Sequence, residues 1–92
     1  MSESAVGTAM VTNRLGLHAR AAAKLVDLAN RFEAHVEVSK EGQFVDAKSI
    51  MGVLLLCGQR GATLTIRTRG PDAEAALASL CALVESGFGE VE

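Results

Sequence analysis

The sequence predicts an α/β (α+β) domain in which helices cover one face of an antiparallel sheet, and three observations predict it. Its 92 residues suffice for one compact core and leave no room for a second, so residues 1–92 are expected to form a single domain. Hydrophobic residues make up 49% of the chain and aromatics only 3%, so that core is built from Ala, Val, Leu, Ile and Met. Helical and two-residue periodicities alternate in the order βαββαβα, with no linker, repeat or low-complexity segment between them.

The first strand is read over residues 5–12, AVGTAMVT, which are largely β-compatible and stop at Asn13, where the loop NRLGL begins. From Ala19 to Phe32, Ala22, Leu25, Ala29 and Phe32 recur at three- and four-residue spacing while Lys24, Asp27 and Arg31 lie elsewhere on the wheel, which predicts an amphipathic helix. In AHVEVSK, Val36 and Val38 alternate with His35, Glu37 and Ser39, the pattern of a strand wet on one face. Lys40-Glu41-Gly42 supplies a turn with a residue free to take positive φ, and Gln43–Ala47 returns as the second arm of a hairpin. Ser49 then precedes IMGVLLL, an apolar run long enough for about two helical turns. ATLTIRTR alternates cleanly, with Leu64 and Ile66 on one face. Gly70-Pro71-Asp72 breaks the chain, Asp72 is placed to cap, and Leu77, Leu80 and Val84 form the stripe of a last helix ended by Gly87.

Composition narrows the function classes. A formal charge of −2 and a pI near 5.6, with neither Trp nor Tyr, argue against a nucleic-acid surface, which needs clustered base and stacking rings. The N-terminal MSESAVGT lacks the basic start and apolar run of a signal peptide, and no stretch approaches the roughly 20 apolar residues of a membrane span, so a cytoplasmic protein without membrane insertion is expected. Cys57 and Cys81 show neither a CxxC spacing nor a nearby ligand pair, so they are read as buried reduced thiols, and no metal or cofactor is expected.

The stretch richest in chemistry is Gly16-Leu17-His18-Ala19-Arg20-Ala21, which puts an imidazole where a loop becomes the first turn of a helix. Unpaired N–H groups of that turn, backed by the helix dipole, make an anion site, so a phosphoryl group on His18 would face the backbone donors of Ala19, Arg20 and Ala21. Arg20 adds a fixed cation, and a cation in a first turn is mildly disfavoured unless an anion is bound there. Neutral imidazole offers a nucleophilic nitrogen near neutral pH. Ser49 has a complete structural explanation as the N-cap of the IMGVLLL helix, and the same position would seat a phosphate at little folding cost. One short helix cannot bury every side of so apolar a run, so part of it should form a surface patch. His35 alternates outward and lacks any motif, which makes it a surface residue.

Gly16-Leu17-His18-Ala19-Arg20 resembles the phosphorylation-site signature of the HPr family, the histidine-containing phosphocarriers of the bacterial sugar phosphotransferase system. Lys48-Ser49-Ile50-Met51-Gly52-Val53 resembles that family's second, regulatory phosphorylation segment, and the resemblance extends over roughly residues 5–89. It implies an HPr-like open-faced sandwich of four antiparallel strands and three helices. It also implies a monomeric carrier, not an enzyme, that takes a phosphoryl group from enzyme I onto the Nδ1 nitrogen of His18 and passes it to EIIA domains. Arg20 would stabilise the phosphate, Ser49 would be the target of a serine kinase/phosphorylase, and Leu17, Ile50, Met51 and Leu54 would form the docking patch. The family usually has proline where this chain has Ala21; alanine keeps an N–H, so altered exchange rates without loss of chemistry are expected. The alternative implied by the nitrogen-related branch of the family is a phosphoprotein that mainly controls partner proteins. A ferredoxin-like small-molecule-binding domain has the same element order but no pocket signature here, and an enzyme with His18 as base would lack a second catalytic group.

Overall fold

The computed structural model describes residues 3–90. Four strands, β1 (Ser4–Met10), β2 (His35–Lys40), β3 (Gln43–Asp46) and β4 (Thr63–Arg69), form one sheet in the order β1-β4-β2-β3, and every neighbouring pair is antiparallel. Three helices, α1 (Ala19–Ala29), α2 (Ile50–Leu55) and α3 (Ala73–Glu85), are followed by a short 3-10 turn over Gly87–Gly89. The element order and the open antiparallel sheet agree with the sequence prediction.

The alternation that predicted the strands decides which face is covered. Val36 and Val38 of β2, Leu64 and Ile66 of β4 and Ala9 of β1 point inward and are all at most 2% exposed. They meet Ala22 and Leu25 of α1, Val53 of α2 and Leu80 and Val84 of α3 in one aliphatic core. Burying apolar surface of this kind stabilises by roughly 25 cal/mol per Å² removed from water. Gly7 belongs to this packing, because a Cβ there would lie 3.4 Å from Leu77 of α3. The opposite face is open and mixed: Arg67 pairs with Glu37 at 2.7 Å and lays its guanidinium over the Phe44 ring, 3.8 Å from the centroid, while Val6 and Met10 of β1 are exposed.

The hairpin between β2 and β3 turns through Glu41 and Gly42, both with positive φ (61° and 85°), the two-residue geometry whose twist matches that of the strands.

Several boundaries and partners differ from the sequence prediction. α1 ends at Ala29, with a last α-helical bond from the Asn30 N–H to the Val26 carbonyl at 3.0 Å; Arg31 and Phe32 continue it only through tighter bonds to the carbonyls three residues back, Leu28 and Ala29. Asp72 precedes α3 but makes no side-chain cap; its carboxylate instead accepts from the N–H groups of Glu33 and Ala34 at 2.9 and 2.8 Å. Those bonds tie the entry of β2 to the start of α3 and hold the Asp72 carboxyl below the usual carboxylate range. Cys57 is exposed, not buried, because the chain leaves α2 there with a left-handed φ of 53°, and Cys81 is half-buried.

Candidate functional site

His18 is placed by a loop that has little freedom. Asn13 is buried, and its Nδ2 donates to the Gly16 carbonyl at 2.9 Å while the Gly16 N–H donates back to the Asn13 carbonyl at 3.1 Å. Gly16 has a left-handed φ of 64°, and a Cβ there would run into the Gly58 carbonyl oxygen. That oxygen accepts from the Leu17 N–H at 2.7 Å, so the loop preceding β4 clamps the residue before His18. Glycine is required twice over, by the conformation and by the close approach.

The chain then enters α1 with His18 as its N-cap in an extended conformation (φ −71°, ψ 176°). Its Nδ1 accepts from the Arg20 N–H at 3.3 Å. A backbone N–H can only donate, so Nδ1 carries the lone pair and Nε2 carries the ring proton. Nε2 donates to Glu90 Oε2, and Glu90 Oε1 accepts from Asn13 Nδ2 at 3.0 Å. The bond from His18, and next the one from Asn13, hold the Glu90 carboxyl below the usual carboxylate range.

The first bond of α1 runs from the Ala22 N–H to the His18 carbonyl at 2.8 Å, so the amides of Ala19, Arg20 and Ala21 all precede the closed ladder. No acidic residue sits in this first turn. The Arg20 side chain is exposed, and with His18, Ala19, Leu15, Lys24, Gly89 and Glu90 it lines an open hollow. The structure therefore brings together His18, Ala19, Arg20 and Ala21, all four named from sequence. It adds Asn13 and Glu90, which the sequence reading missed. Glu90 lies 72 residues from His18 along the chain, and the only local signal was the pair of glycines flanking Phe88 just before it.

Ser49 caps α2 as expected: its Oγ accepts from the Gly52 N–H at 3.3 Å. The apolar residues sort differently from the expectation. Leu17 is only 6% exposed, because its side chain packs against Gly58 and joins the core, and Leu54 is half-buried against the same core. Ile50 is exposed to 38% and Met51 to 66%, and they are joined at the surface by Leu55 (74%) and, beside His18, Leu15 (63%). Leu17 is thus corrected from a surface residue to a core residue, and Leu55 takes the exposed place on α2.

Comparison with known proteins gives this geometry a family. Residues 6–86 match the family model described as the PTS HPr component phosphorylation site. The chain is 51% identical over 82 residues to the phosphocarrier protein HPr of Cupriavidus necator, covering 89% of this chain and 92% of that one. It is 44% identical over 80 residues to the phosphocarrier protein NPr of Shewanella violacea, covering 87% and 88%. Among solved structures, HPr from Thermoanaerobacter tengcongensis superposes with a TM-score of 0.91 at 39% identity, covering 96% of this chain and 99% of that one. HPr from Bacillus anthracis superposes with a TM-score of 0.85 at 44% identity, covering 88% and 96%. With a histidine-capped helix start inside the matched segment and the same open sheet behind it, the chain belongs to the HPr family of phosphocarrier proteins of the phosphotransferase system.

Proposed function

We propose that this protein accepts a phosphoryl group from phosphorylated enzyme I on Nδ1 of His18 and passes it to EIIA domains. The observation that carries the reading is the His18 Nδ1 lone pair held at the N-terminus of α1, 3.3 Å from the Arg20 N–H. When a phosphoryl group bonds to Nδ1, its oxygens enter the space faced by the Ala19, Arg20 and Ala21 amides, where the partial positive charge of the helix end favours an anion. Arg20, whose guanidinium has no partner among the described residues, is free to swing onto the phosphate and add a charge-assisted bond. Ala21 keeps the N–H that proline would lack, and its side chain is fully buried, so this position anchors the first turn by packing.

The open hollow around His18 suits docking of a protein and not enclosure of a small molecule, since phosphoryl exchange between two histidines requires a partner surface to close over the site. Ile50, Met51 and Leu55 of α2, with Leu15 beside the histidine, form the apolar contribution to that surface, and Leu54 lies at its inner edge. Ser49 stands at the start of the same helix, where a serine kinase would place about two negative charges next to the docking residues. The protein works as a cytoplasmic monomer on this reading; among the described residues no helix is long and apolar enough to cross a membrane.

The NPr relative supports the second reading, in which phosphorylated His18 chiefly controls partner proteins of a nitrogen-related branch. Both readings require the same first step. Incubating the purified chain with phosphoenolpyruvate and enzyme I is expected to add one acid-labile, alkali-stable phosphoryl group; presenting that species to EIIA domains of the sugar and nitrogen branches then separates the two. Absence of labelling overturns both.

A further inference from the structure

We infer that the free edge of β1 is a strand-addition site for an extended acidic segment of a partner protein. The sheet has two edge strands, β1 and β3, and they are not alike. β3 spans four residues, Gln43–Asp46, and ends in a charge. β1 spans seven, Ser4–Met10, with no charge, no proline and an unbroken register against β4. Sheet edges are ordinarily blunted by shortness, charge, proline or a bulge, and β1 has none of these.

Hydrogen bonds at the two ends of the strand fix which groups the edge offers. The Gly70 N–H donates to the Glu3 carbonyl and the Val11 N–H to the Ala62 carbonyl, both at 2.8 Å, so the odd-numbered residues turn their backbone groups toward β4. The N–H and C=O groups of Ser4, Val6, Thr8 and Met10 therefore face away from the sheet, outside the ladder. The same parity sends their side chains to the open face, where all four are exposed, Val6 to 62% and Met10 to 51%, while Ala9 on the other face is buried. The same residues thus supply the main-chain partners and the alternate side-chain contacts that an added strand uses.

Charge names the occupant. On the open face Ser4 is in register with Arg69 and Arg69 with His35, and the next row runs Val6, Arg67, Glu37. Arg67 is held by Glu37, and His35 Nε2 lies 3.7 Å from the same carboxylate. Arg69 is exposed and has no ion-pair partner among the described residues. Two hollows meet over Ser4: one of about 350 Å³ at the edge, lined by Ser4, Ala5, Val6 and Arg67, and one of about 340 Å³ that continues past Arg69 to His35. An added strand lies about 4.8 Å beyond β1 and so about 10 Å from β4, a gap that a glutamate opposite Ser4 and the Arg69 guanidinium together span. A second copy of the chain fits less well, because its β1 brings no charge to Arg69. Neither His18 nor α2 contributes to these hollows, so the site does not depend on the phosphocarrier reading.

The test titrates the nitrogen-15-labelled full chain with a capped peptide of alternating threonine and valine, matched to β1 in length, with glutamate at both ends. A control peptide carries lysine at both ends. The glutamate peptide is expected to shift the Ser4, Val6, Thr8 and Met10 amides and slow their hydrogen exchange, and to bind roughly twofold to fivefold more tightly than the control, a preference that Arg69→Gln removes. Val6→Pro deletes an N–H that β4 does not use, so it should keep the parent's circular dichroism and lose the peptide. Edge amides that stay unchanged throughout the titration overturn the site. Equal binding of the two peptides, or a preference that survives Arg69→Gln, overturns the acidic occupant. Slowed exchange of the same amides with protein concentration alone, and a dimer in sedimentation, would give the edge to a second copy and overturn the proposal.

Discussion

α1 and α2 begin alike, each with a side chain that accepts a hydrogen bond from the first turn: His18 Nδ1 from the Arg20 N–H and Ser49 Oγ from the Gly52 N–H, both at 3.3 Å. Beyond that bond they diverge. Ser49 is an efficient cap that stabilises a helix of six residues with a single buried side chain, Val53. His18 is a residue seldom chosen for capping, and it heads an eleven-residue helix that buries Ala21, Ala22, Leu25 and Ala29, enough packing to tolerate a poor cap. The strong helix can tolerate a poor cap; the weak one depends on a good one.

The largest effect expected from breaking this contrast is at His18. His18→Ala should fold yet accept no phosphate from enzyme I, checked by labelling alongside circular dichroism, because the nucleophile is lost while the packing of α1 is untouched. Labelling at the parent level would place the phosphate elsewhere. Arg20→Ala should keep the fold and slow transfer tenfold to a hundredfold, the equivalent of about 1.5–3 kcal/mol for a charge-assisted contact, measured by rapid-quench exchange with enzyme I. An unchanged rate would show that the backbone amides suffice.

The start of α2 should respond in the opposite currency. Ser49→Ala is expected to lower stability by about 0.5–2 kcal/mol in urea titration while docking to enzyme I holds, since only the cap is lost. Ser49→Asp should leave stability nearly unchanged, because carboxylate also caps, and weaken docking through its charge beside Ile50 and Met51, as read by calorimetry. If Ser49→Asp binds enzyme I with the parent's affinity, Ser49 is a cap alone.

The smallest effect sharpens the comparison through pH. Hydrogen bonds from His18 and Asn13 depress the folded-state pKa of Glu90, so the folded protein binds fewer protons there than the unfolded chain does. The associated stability is present above the unfolded carboxylate value, roughly pH 4.3, and is lost as pH falls through the depressed folded value. Acid unfolding of His18→Ala should therefore be less steep than that of the parent, whereas Ser49→Ala should parallel the parent, since no titrating group touches the Ser49 cap.

The strands were legible because Val36, Val38, Leu64 and Ile66 each carry their own inside-or-outside signal, and the His18 motif was legible because its parts are contiguous. What escaped is long-range. Asp72 looks like a cap from its neighbours, yet its carboxylate is claimed by amides 38 and 39 residues away. Leu17 looks like surface beside an exposed histidine, but the Gly58 carbonyl pulls its backbone inward and its side chain follows. Cys57 sits in an apolar run and still faces solvent, because α2 ends one residue earlier than the run does and the chain reverses hand there. Asn13 read alone only ends the first strand and Glu90 carries no signal of its own, so only the fold makes them neighbours of one imidazole.

The sheet order places β1 at the edge beside β4, pairing Ser4 with Arg69 and Met10 with Thr63. During synthesis the first strand therefore emerges long before its only partner, and the hairpin of β2 and β3 can form while β1 is still unpaired. Joining such distant segments carries a loop-closure cost that the local hairpin does not, so the closing of β1 onto β4 is the expected slow step. Phe88, which fills the core from the far end, arrives later still. A nascent chain halted before the Phe88 codon would expose an unfinished core and a histidine without the Glu90 carboxylate beside it, so the closing of the core and the completion of the histidine's surroundings would be reached together.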